Sequence, residues 1–297
     1  MNSINPNIQI KPIRANIEIT NLCNLRCTHC YFYSNYDYNI KHRGLSLTEL
    51  KKLIKKLKNE GIFELSIGGG EPFCYPKIKE ILLLATQKMF TVVSTNGLLL
   101  NEKTINFLKK LPNFCLQISL DGQEKIHKKI RNIDSYHFKL LIKIIKTCVI
   151  NKVDLKIGFM LCRLNVRDVE YICKFCLKEH IKKLAILTYI GENEKLQLSK
   201  YNFYKVAKIL KKYINKLKIN IRDPFLHFLV FGEKGCCEAG KLTFNIDYQG
   251  NVSPCCYIDN SNIGNIFDLK IKNIPSICEK KIRKIKNRNF CIAQKYL

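Results

Sequence analysis

Three cysteines share one short segment near the start of the chain, Cys23-Asn-Leu-Arg-Cys27-Thr-His-Cys30. The segment directly follows residues 15–20, an alternating run that predicts a β-strand. Thiolates at C-x3-C-x2-C spacing can hold three irons of a cubane iron–sulfur cluster, which leaves the fourth iron without a protein ligand. That iron is free to bind a substrate or cofactor, so the spacing predicts a reaction centre rather than a simple electron carrier.

Two other uses of clustered cysteines fit this spacing less well. Structural zinc takes four ligands, commonly as two C-x2-C pairs. Ferredoxins with two clusters carry a C-x2-C-x2-C run whose fourth cysteine precedes a proline. Neither pattern is present around residues 23–30. A chance spacing is the remaining alternative in a chain with 15 cysteines.

A glycine-rich motif lies further along the chain, in Leu65-Ser-Ile-Gly-Gly-Gly-Glu-Pro72. The pattern predicts a strand that ends in a tight turn. Glycines in such a turn allow the backbone to approach a ligand closely. The two motifs together resemble the signature of the radical S-adenosylmethionine (SAM) enzymes, C-x3-C-x-aromatic-C followed by Gly-Gly-Glu. The resemblance implies that a [4Fe–4S] cluster is held by Cys23, Cys27 and Cys30, that SAM binds the open iron, and that His29 packs near the adenine.

The resemblance extends into the following strands. It implies that Gly69, Gly70 and Glu71 hold the SAM amino group. Residues 92–97 read as a third strand that ends in a polar turn. Residues 116–131 resemble the Ser-x-Asp-Gly … His … Arg stretch of the peptide- and cofactor-maturing subgroup. Further cofactor contacts are therefore expected from Asn96, Ser119 and Arg131. The alternative is a strand end followed by a solvated basic helix.

The order of apolar and amphipathic segments predicts an α/β fold. Predicted strands are 13–20, Glu64–Gly68, 91–94, 116–119, 154–160 and Lys183–Thr188, and predicted helices are 46–60, 76–88, 101–110, 136–151, 166–180 and 199–217. Six β/α units predict parallel strands with right-handed crossovers. The resemblance implies a partial (β/α)6 barrel, with the cluster and SAM at the carboxyl edges of the strands. We expect this radical SAM domain over residues 1–225.

The pattern becomes cysteine-rich after this point, and we expect a small auxiliary-cluster domain over residues 226–297. Residues 241–254 read as a β-hairpin that turns at Gln249-Gly-Asn251. Cys236-Cys237 precedes the hairpin and Cys255-Cys256 follows it, so the two pairs should lie close together. The segment resembles the C-terminal SPASM or twitch domains of the subgroup, which bind auxiliary iron–sulfur clusters.

The chain departs from a full SPASM domain, which carries seven cysteines. Only six follow residue 230, and no C-x2-C-x5-C run is present. We therefore expect one auxiliary [4Fe–4S] cluster. Its expected ligands are Cys237, Cys255 and Cys291, with Cys278 as the fourth. A zinc site is the alternative, because four thiolates after a hairpin also suit zinc.

Other cysteines are candidates for catalysis. Cys74 follows the glycine motif, Cys162 follows the fifth strand, and Cys256 neighbours an expected ligand. Any of them could face the substrate cavity, and Cys256 could return a hydrogen atom to substrate. The alternative for a single cysteine is a small buried hydrophobe.

Composition narrows the class of protein. No run approaches 18 uncharged apolar residues, so we expect no transmembrane helix. The N-terminal segment lacks the features of a secretory signal, so we expect a cytoplasmic protein whose cysteines bind metal rather than form disulfides. The net charge is +27, with the lysines spread along helices. Genomic base composition explains this charge best, although it could also steer an acidic leader peptide. A nucleic-acid partner is not expected, since no RNA-binding aromatic motif accompanies the charge.

The resemblance implies reductive cleavage of SAM to a 5′-deoxyadenosyl radical that abstracts a hydrogen atom from substrate. The first hypothesis is maturation of a ribosomally made peptide by crosslinking, oxidation or epimerisation, with a flavodoxin- or ferredoxin-type electron donor. The second is a small-molecule or cofactor pathway, such as tetrapyrrole modification, and the lack of a recognisable N-terminal leader-binding wing favours it. The third is an iron–sulfur electron carrier or RNA-binding module, which does not explain the glycine motif.

Overall fold

A single sheet organises the chain. The computed structural model describes residues 11–31, 44–233, 235–258 and 261–281. Within these ranges the strands are β1 (Arg14–Glu18), β2 (Glu64–Gly68), β3 (Phe90–Thr95), β4 (Phe114–Ser119), β5 (Leu155–Leu161), β6 (Lys183–Thr188), β7 (Lys218–Ile221), β8 (Thr243–Ile246), β9 (Asn251–Ser253) and β10 (Gly264–Asn265). The α-helices are α1 (Leu47–Asn59), α2 (Ile78–Lys88), α3 (Glu102–Leu108), α4 (Glu124–Arg131), α5 (Ser135–Ile150), α6 (Val169–Lys178), α7 (Lys200–Leu210), α8 (Pro224–Phe231) and α9 (Ile274–Lys281).

The strand order is β10-β9-β8-β1-β2-β3-β4-β5-β6-β7. Strands β1 to β7 pair in parallel with their neighbours along the chain, which is the arrangement predicted for successive β/α units. Strand β8 pairs in parallel with the other side of β1, and β9 and β10 then follow antiparallel. The carboxyl ends of β1 and β8 therefore meet at the same edge of the sheet.

Helix α1 shows how local sequence produces this arrangement. The Ser46 hydroxyl accepts a hydrogen bond from the Glu49 backbone N–H, and the Glu49 carboxylate accepts one from the Ser46 N–H at 2.8 Å. This reciprocal pair satisfies N–H groups that have no partner within a helix. The apolar stripe of α1 consists of four residues that are buried in the core, Leu50, Leu53, Ile54 and Leu57. The capping box and the stripe predicted from the sequence are both present.

The two faces of the sheet differ in polarity. In β1, Ala15 and Ile17 are buried in the apolar core, whereas Asn16 points the other way and its side-chain amide donates to the Thr243 hydroxyl on β8 at 3.1 Å. On β4, the Gln117 amide similarly donates to Ser94 at 3.1 Å. One face thus packs on the helices, and the opposite face presents polar groups along its strands.

Several elements differ from the sequence prediction. The helix predicted to reach residue 217 ends at Leu210, and the following residues turn into β7. Strands β7 and β10 and helices α8 and α9 were not among the predicted elements, and α4 was expected only in the alternative interpretation of residues 116–131 as a strand end and a basic helix. Helix α8 begins with Pro224, and the Asp223 carboxylate caps it by accepting from the Leu226 N–H at 2.8 Å. Helices α4, α8 and α9 are each eight residues long, so their apolar periodicity covers about two turns and gives a weak signal.

The predicted hairpin is present as β8 and β9, but its attachment to β1 was not foreseen. The boundary predicted between residues 225 and 226 falls within α8. The division into two domains stays a prediction. No helix in the described ranges is long and apolar enough to cross a membrane.

Candidate functional site

The cysteine loop continues from the carboxyl end of β1. Cys23, Cys27 and Cys30 are each half-buried, and none of them forms a disulfide within the described part of the chain. The Arg26 guanidinium donates to the carbonyl groups of Cys23 and Leu25, both at 2.9 Å, and the Cys30 N–H donates to the Cys27 carbonyl at 3.2 Å. These bonds within the loop hold the three thiols on one short stretch of folded backbone.

The glycine motif packs directly on this loop. The Gly70 N–H donates to the Thr20 carbonyl at 2.8 Å, and the Glu71 N–H donates to the Leu22 carbonyl at 2.7 Å. A Cβ atom on Gly70 would lie 2.1 Å from the Leu22 carbonyl oxygen. Gly69 has φ +104, and a Cβ there would lie 2.7 Å from the Thr20 oxygen. Only glycine allows so close an approach of the two backbones.

Glu71 is a buried carboxylate whose oxygens accept from protein donors. These donors are the Thr95 hydroxyl at 2.7 Å, the Asn96 N–H at 2.8 Å and the Phe73 N–H at 3.1 Å. Burial raises the pKa of Glu71, and these hydrogen bonds oppose the rise. The Asn96 side chain in turn donates to the Asn24 side-chain oxygen at 2.8 Å. Glu71 and Asn96 therefore tie the end of β3 to the glycine motif and to the cysteine loop.

The carboxyl end of α4 holds the other side of the loop. The Thr28 N–H and hydroxyl both donate to the Ile130 carbonyl, at 2.8 and 3.1 Å. Arg131 Nε lies 2.5 Å from Asp121 Oδ2, and its Nη1 lies 3.9 Å from Cys27 Sγ. Burial alone would raise the pKa of Asp121, but the Arg131 guanidinium holds it below its usual value.

Some buried polar atoms at this site have no partner among the described residues. They include Nδ1 of His29 and Oδ1 of Asn21. Burial, and then the nearby Arg131 charge, lower the pKa of His29 to about 4, so its ring is neutral near pH 7. Ser119 ends β4, and no hydrogen bond of its hydroxyl is found within the described part of the chain. Unpaired buried polar groups are rare in folded proteins and commonly mark a place for a ligand.

These observations fit a three-thiol iron–sulfur cluster with SAM. The donor set is three cysteine thiols on one loop, and the glycine motif leaves backbone rather than side chains beside them. Buried polar atoms of Asn21 and His29, on the same segment, have no partner among the described residues. No three His, Cys, Asp or Glu side chains of the described residues converge as closely as a preformed metal site would require.

The second cysteine group surrounds the hairpin. Cys237 and Cys255 are half-buried on either side of β8 and β9, and the Cys256 thiol donates to the Cys255 sulfur, which lowers the pKa of Cys255. Cys278 on α9 is fully buried, and a Cβ on Gly240 would lie 3.0 Å from its sulfur. The fold thus brings Cys278 against the segment that follows Cys237. Cys291, the remaining predicted ligand, lies outside the described residues.

The three candidate catalytic cysteines have different surroundings. Burial raises the pKa of Cys74, which is half-buried and accepts a hydrogen bond from the Asn24 backbone. Cys162 is fully buried beside Ile130 and Leu196, and burial raises its pKa to about 11. Cys256 is hydrogen-bonded to Cys255 and to the Tyr31 hydroxyl. Cys162 therefore occupies an apolar core position, whereas Cys256 links the second cysteine group to Tyr31, the residue that follows Cys30.

One cluster of polar residues was not recognised in the sequence. Glu18, at the end of β1, is buried, and its Oε1 accepts from the Tyr31 hydroxyl at 3.1 Å and from the Asn245 amide at 3.2 Å. Burial raises the pKa of Glu18 to about 7. The Tyr31 ring meets the Tyr257 ring edge-on at 4.8 Å. The only local signal was a carboxylate within a strand, next to the cysteine loop.

Comparison with known proteins decides the family. Residues 17–176 match the radical SAM superfamily. The chain belongs to the radical SAM superfamily. Residues 236–293 match the SPASM iron–sulfur cluster-binding domain, which places the chain in the SPASM-type subgroup of radical SAM enzymes. These matches confirm the subgroup that the sequence resembles. They also confirm the predicted cofactors, which are a SAM-binding [4Fe–4S] cluster, SAM and an auxiliary cluster.

Several curated radical SAM proteins resemble the chain at low identity. The sporulation killing factor maturation protein SkfB of Bacillus subtilis is 25% identical in an alignment that covers 89% of this chain and 65% of that protein. The cysteine-type anaerobic sulfatase-maturating enzyme of Clostridium novyi is 28% identical, covering 86% of this chain and 75% of that protein. The probable GTP 3′,8-cyclase of Methanocaldococcus jannaschii is 27% identical, covering 88% of this chain and 90% of that protein.

Solved structures share the radical SAM fold. Streptococcus suis SuiB bound to S-adenosylmethionine superposes with a TM-score of 0.73 at 18% identity, covering 89% of this chain and 64% of that one. Native anSMEcpe with bound AdoMet gives a TM-score of 0.71 at 24% identity, covering 94% of this chain and 88% of that one. The chain thus spans slightly less than two thirds of SkfB and of SuiB. The predicted fold class, a radical SAM α/β sheet with a C-terminal auxiliary domain and hairpin, is confirmed.

Proposed function

We propose that this chain is a peptide-maturing radical SAM enzyme. When bound, the cluster and SAM supply a 5′-deoxyadenosyl radical that removes a hydrogen atom from an unactivated carbon of the peptide. The product is a crosslinked, oxidised or epimerised residue. The cluster ligands are Cys23, Cys27 and Cys30, and the auxiliary ligands are Cys237, Cys255, Cys278 and Cys291.

The observation that carries this proposal is the pairing of β8 with β1. It lays the hairpin that carries the auxiliary cysteines beside β1, from which the cluster loop continues, and the Tyr31 hydroxyl is hydrogen-bonded both to Glu18 and to Cys256. An auxiliary cluster beside the reaction centre suits a reaction in which the substrate loses an electron as well as a hydrogen atom. Cross-linking and oxidation of a peptide are reactions of this kind.

The names of similar proteins support a peptide substrate. Three of these proteins are named for maturation: SkfB, the mycofactocin maturase MftC and the sulfatase-maturating enzyme. SuiB has been solved with its precursor peptide SuiA, and anSMEcpe with two peptides. A net charge of +27 adds a field that would attract an acidic leader segment.

In this proposal the chain's own residues position the cofactor and exclude water, because the radical chemistry belongs to the cofactor. The glycine motif keeps side chains away from the cysteine loop, and Gly69, Gly70 and Glu71 receive the SAM amino group. The neutral His29 ring would pack near the adenine, while the Asn96 side chain holds the cysteine loop to the end of β3. Ser119, at the end of β4, would contact the ribose.

A small-molecule substrate is the second candidate. The observation in its favour is coverage, since the probable GTP 3′,8-cyclases match over 90% and 96% of their own length. The Fe-coproporphyrin III synthase of Methanosarcina barkeri, which is 29% identical over 45% of its length, points in the same direction. A flavodoxin- or ferredoxin-type electron donor and a cytoplasmic location stay predictions under either candidate.

The test begins with anaerobically reconstituted full-length protein. Iron and acid-labile sulfide should reach about eight per chain, and about four in the triple variant Cys23→Ala/Cys27→Ala/Cys30→Ala, because each cubane holds four irons. Only the wild type should convert SAM to 5′-deoxyadenosine under reducing conditions. Failure of a fully loaded, reduced wild type to produce any 5′-deoxyadenosine, with every substrate offered, would count against enzymatic function.

The substrate class is tested in the same assay. Peptides encoded beside the gene are compared with GTP as added substrates, and 5′-deoxyadenosine is quantified for each. A peptide that stimulates turnover and loses two hydrogens in its mass spectrum supports oxidation or crosslinking, and deuterium gained from D2O without a loss supports epimerisation. Stimulation by GTP, with no peptide changed, favours the small-molecule candidate.

A further inference from the structure

Arg131 lies between a buried carboxylate and a thiol of the cluster loop. Its Nε is 2.5 Å from Asp121 Oδ2, and its Nη1 is 3.9 Å from Cys27 Sγ. The Arg131 side chain is 12% exposed and that of Asp121 is fully buried. The guanidinium is therefore shielded from water, fixed by one anion and directed towards a sulfur atom.

Asp121 is itself held rigidly. Its second carboxylate oxygen, Oδ1, accepts from the Met160 N–H at 2.8 Å. Its backbone carbonyl accepts from the Asn165 amide at 3.1 Å, and its N–H donates to Nδ1 of His127 at 3.0 Å. Because both carboxylate oxygens are engaged, the carboxyl group cannot rotate freely. The fixed carboxylate in turn fixes the direction of the Arg131 guanidinium, which is bonded to it through Nε.

The ion pair lies beside a thiol of the cluster loop. Asp121 and Arg131 are an ion pair next to Cys27, with the cation on the side of the sulfur. In a shielded site such charges act more strongly than they do in water.

We propose that Arg131 and Asp121 set the reduction potential of the SAM-binding cluster, the guanidinium raising it and the carboxylate lowering it. Reduction adds one negative charge to a cluster, and hydrogen bonds and charges at its ligand sulfurs tune the potential. A cation near Cys27 stabilises the reduced form, and the carboxylate behind it limits that effect. The inference rests on the proposed function, since it requires Cys27 to be a cluster ligand.

This role differs from the one that the family resemblance implies for Arg131, which is a contact with SAM itself. A residue that binds only SAM changes the affinity for SAM and leaves the potential of the SAM-free cluster as it was. A residue that acts through the ligand sulfur changes the potential before SAM is added. The two roles are therefore separated by a measurement made without SAM.

The experiment is a redox titration of reconstituted full-length protein, followed by electron paramagnetic resonance without SAM. The signal that changes when SAM is later added identifies the cluster concerned. Arg131→Gln should make reduction harder by about tenfold in the equilibrium constant, which is 59 mV for one electron. Asp121→Asn should shift the potential in the opposite direction. Lys129→Gln, which removes an exposed charge from the same helix, is the matched control and should leave the potential unchanged.

Arg131→Lys guards against a variant that does not fold. It retains the charge and should stay close to the wild-type potential, so it and Asp121→Asn decide the matter if Arg131→Gln binds no iron. Shifts of the same sign in Arg131→Gln and Asp121→Asn, or shifts no larger than that of Lys129→Gln, would overturn the inference. So would a change confined to SAM affinity. A wild type without a SAM-responsive cluster would instead overturn the proposed function on which the inference rests.

Discussion

The Tyr31 hydroxyl donates a 3.1 Å hydrogen bond to Oε1 of Glu18, and so joins the residue after Cys30 to the end of β1. The same oxygen accepts from Asn245 on β8 at 3.2 Å. One buried carboxylate thus receives bonds from the cluster loop and from the strand that introduces the auxiliary site. Its protonation state matters because it lies in a region of low dielectric constant.

Replacement of Glu18 should change how stability depends on pH. Burial raises the pKa of Glu18 from 4.5 to about 7, so the folded state retains a proton that the unfolded chain releases. The stabilisation is therefore complete below about pH 4.5 and is lost as the pH rises through 7. From pH 5 to pH 8 the wild type should lose about 2–3 kcal/mol relative to Glu18→Gln, which cannot ionise.

The measurement is urea unfolding of both proteins, before cluster reconstitution, at a series of pH values. Glu102→Gln removes an exposed helical carboxylate and serves as the control. A constant difference between wild type and Glu18→Gln across the series would show that Glu18 is ionised at all these pH values.

Two glycines of one motif should respond differently to alanine. A Cβ on Gly70 would meet the Leu22 carbonyl at 2.1 Å, and neither backbone can move without displacing the cluster loop. A Cβ on Gly68 meets nothing within 4 Å, and its φ is not in the positive range. Gly70→Ala should cost about 1–3 kcal/mol, as overpacking does, and Gly68→Ala about 0.5 kcal/mol or less. Urea unfolding measures both, and equal costs would contradict the close approach seen at Gly70.

Loss of the Glu71 carboxylate should affect SAM binding more than iron content. Glu71→Ala leaves the Thr95 hydroxyl and the Asn96 N–H without their acceptor, which costs about 2–4 kcal/mol of stability. The glycine motif then loses its tie to β3, and SAM should bind at least about tenfold more weakly, a change worth about 1.4 kcal/mol. Equilibrium dialysis with labelled SAM on iron-loaded protein checks this. Unchanged affinity would remove Glu71 from the SAM site.

Adjacent cysteines before the hairpin should differ in their effect on the auxiliary cluster. Cys237 is half-buried and is an expected ligand, whereas its neighbour Cys236 is exposed. Cys237→Ala should reduce iron from about eight to about four per chain, and Cys236→Ala should leave it unchanged. Iron and sulfide analysis of both variants tests this, with zinc measured in parallel. Iron lost equally from both, or zinc in place of iron, would contradict the assignment.

The parts of the site that could be predicted from the sequence are those that depend on a few consecutive residues. The cysteine spacing, the Gly-Gly-Glu motif and the Ser46 capping box each occupy a few consecutive residues, and the structure places all of them as local units. Strand β7 escaped prediction because four alternating residues, Lys218–Ile221, follow a longer stretch of helical periodicity. Short strands of this kind gain most of their stability from their neighbour, here β6.

Contacts between distant residues could not be predicted in the same way. Asn245 and Glu18 are 227 positions apart, and nothing in either segment specifies the other. The direction of the Arg131 side chain was equally hidden, because it depends on where Asp121 is fixed by Met160 and Asn165. Sequence resemblance marks such a residue as belonging to the site, but only the fold shows which atom it faces.

Strand β1 has one neighbour that is synthesised soon after it and another that is synthesised near the end of the described chain. Until β8 leaves the ribosome, β1 is an edge strand with unpaired backbone groups, and Glu18 has no Asn245 to bond. Contacts of such long sequence separation form slowly. The cluster loop is therefore supported on both sides only after β8 has been synthesised, so the order of strands in the sheet limits how early the loop can be held in place for iron insertion.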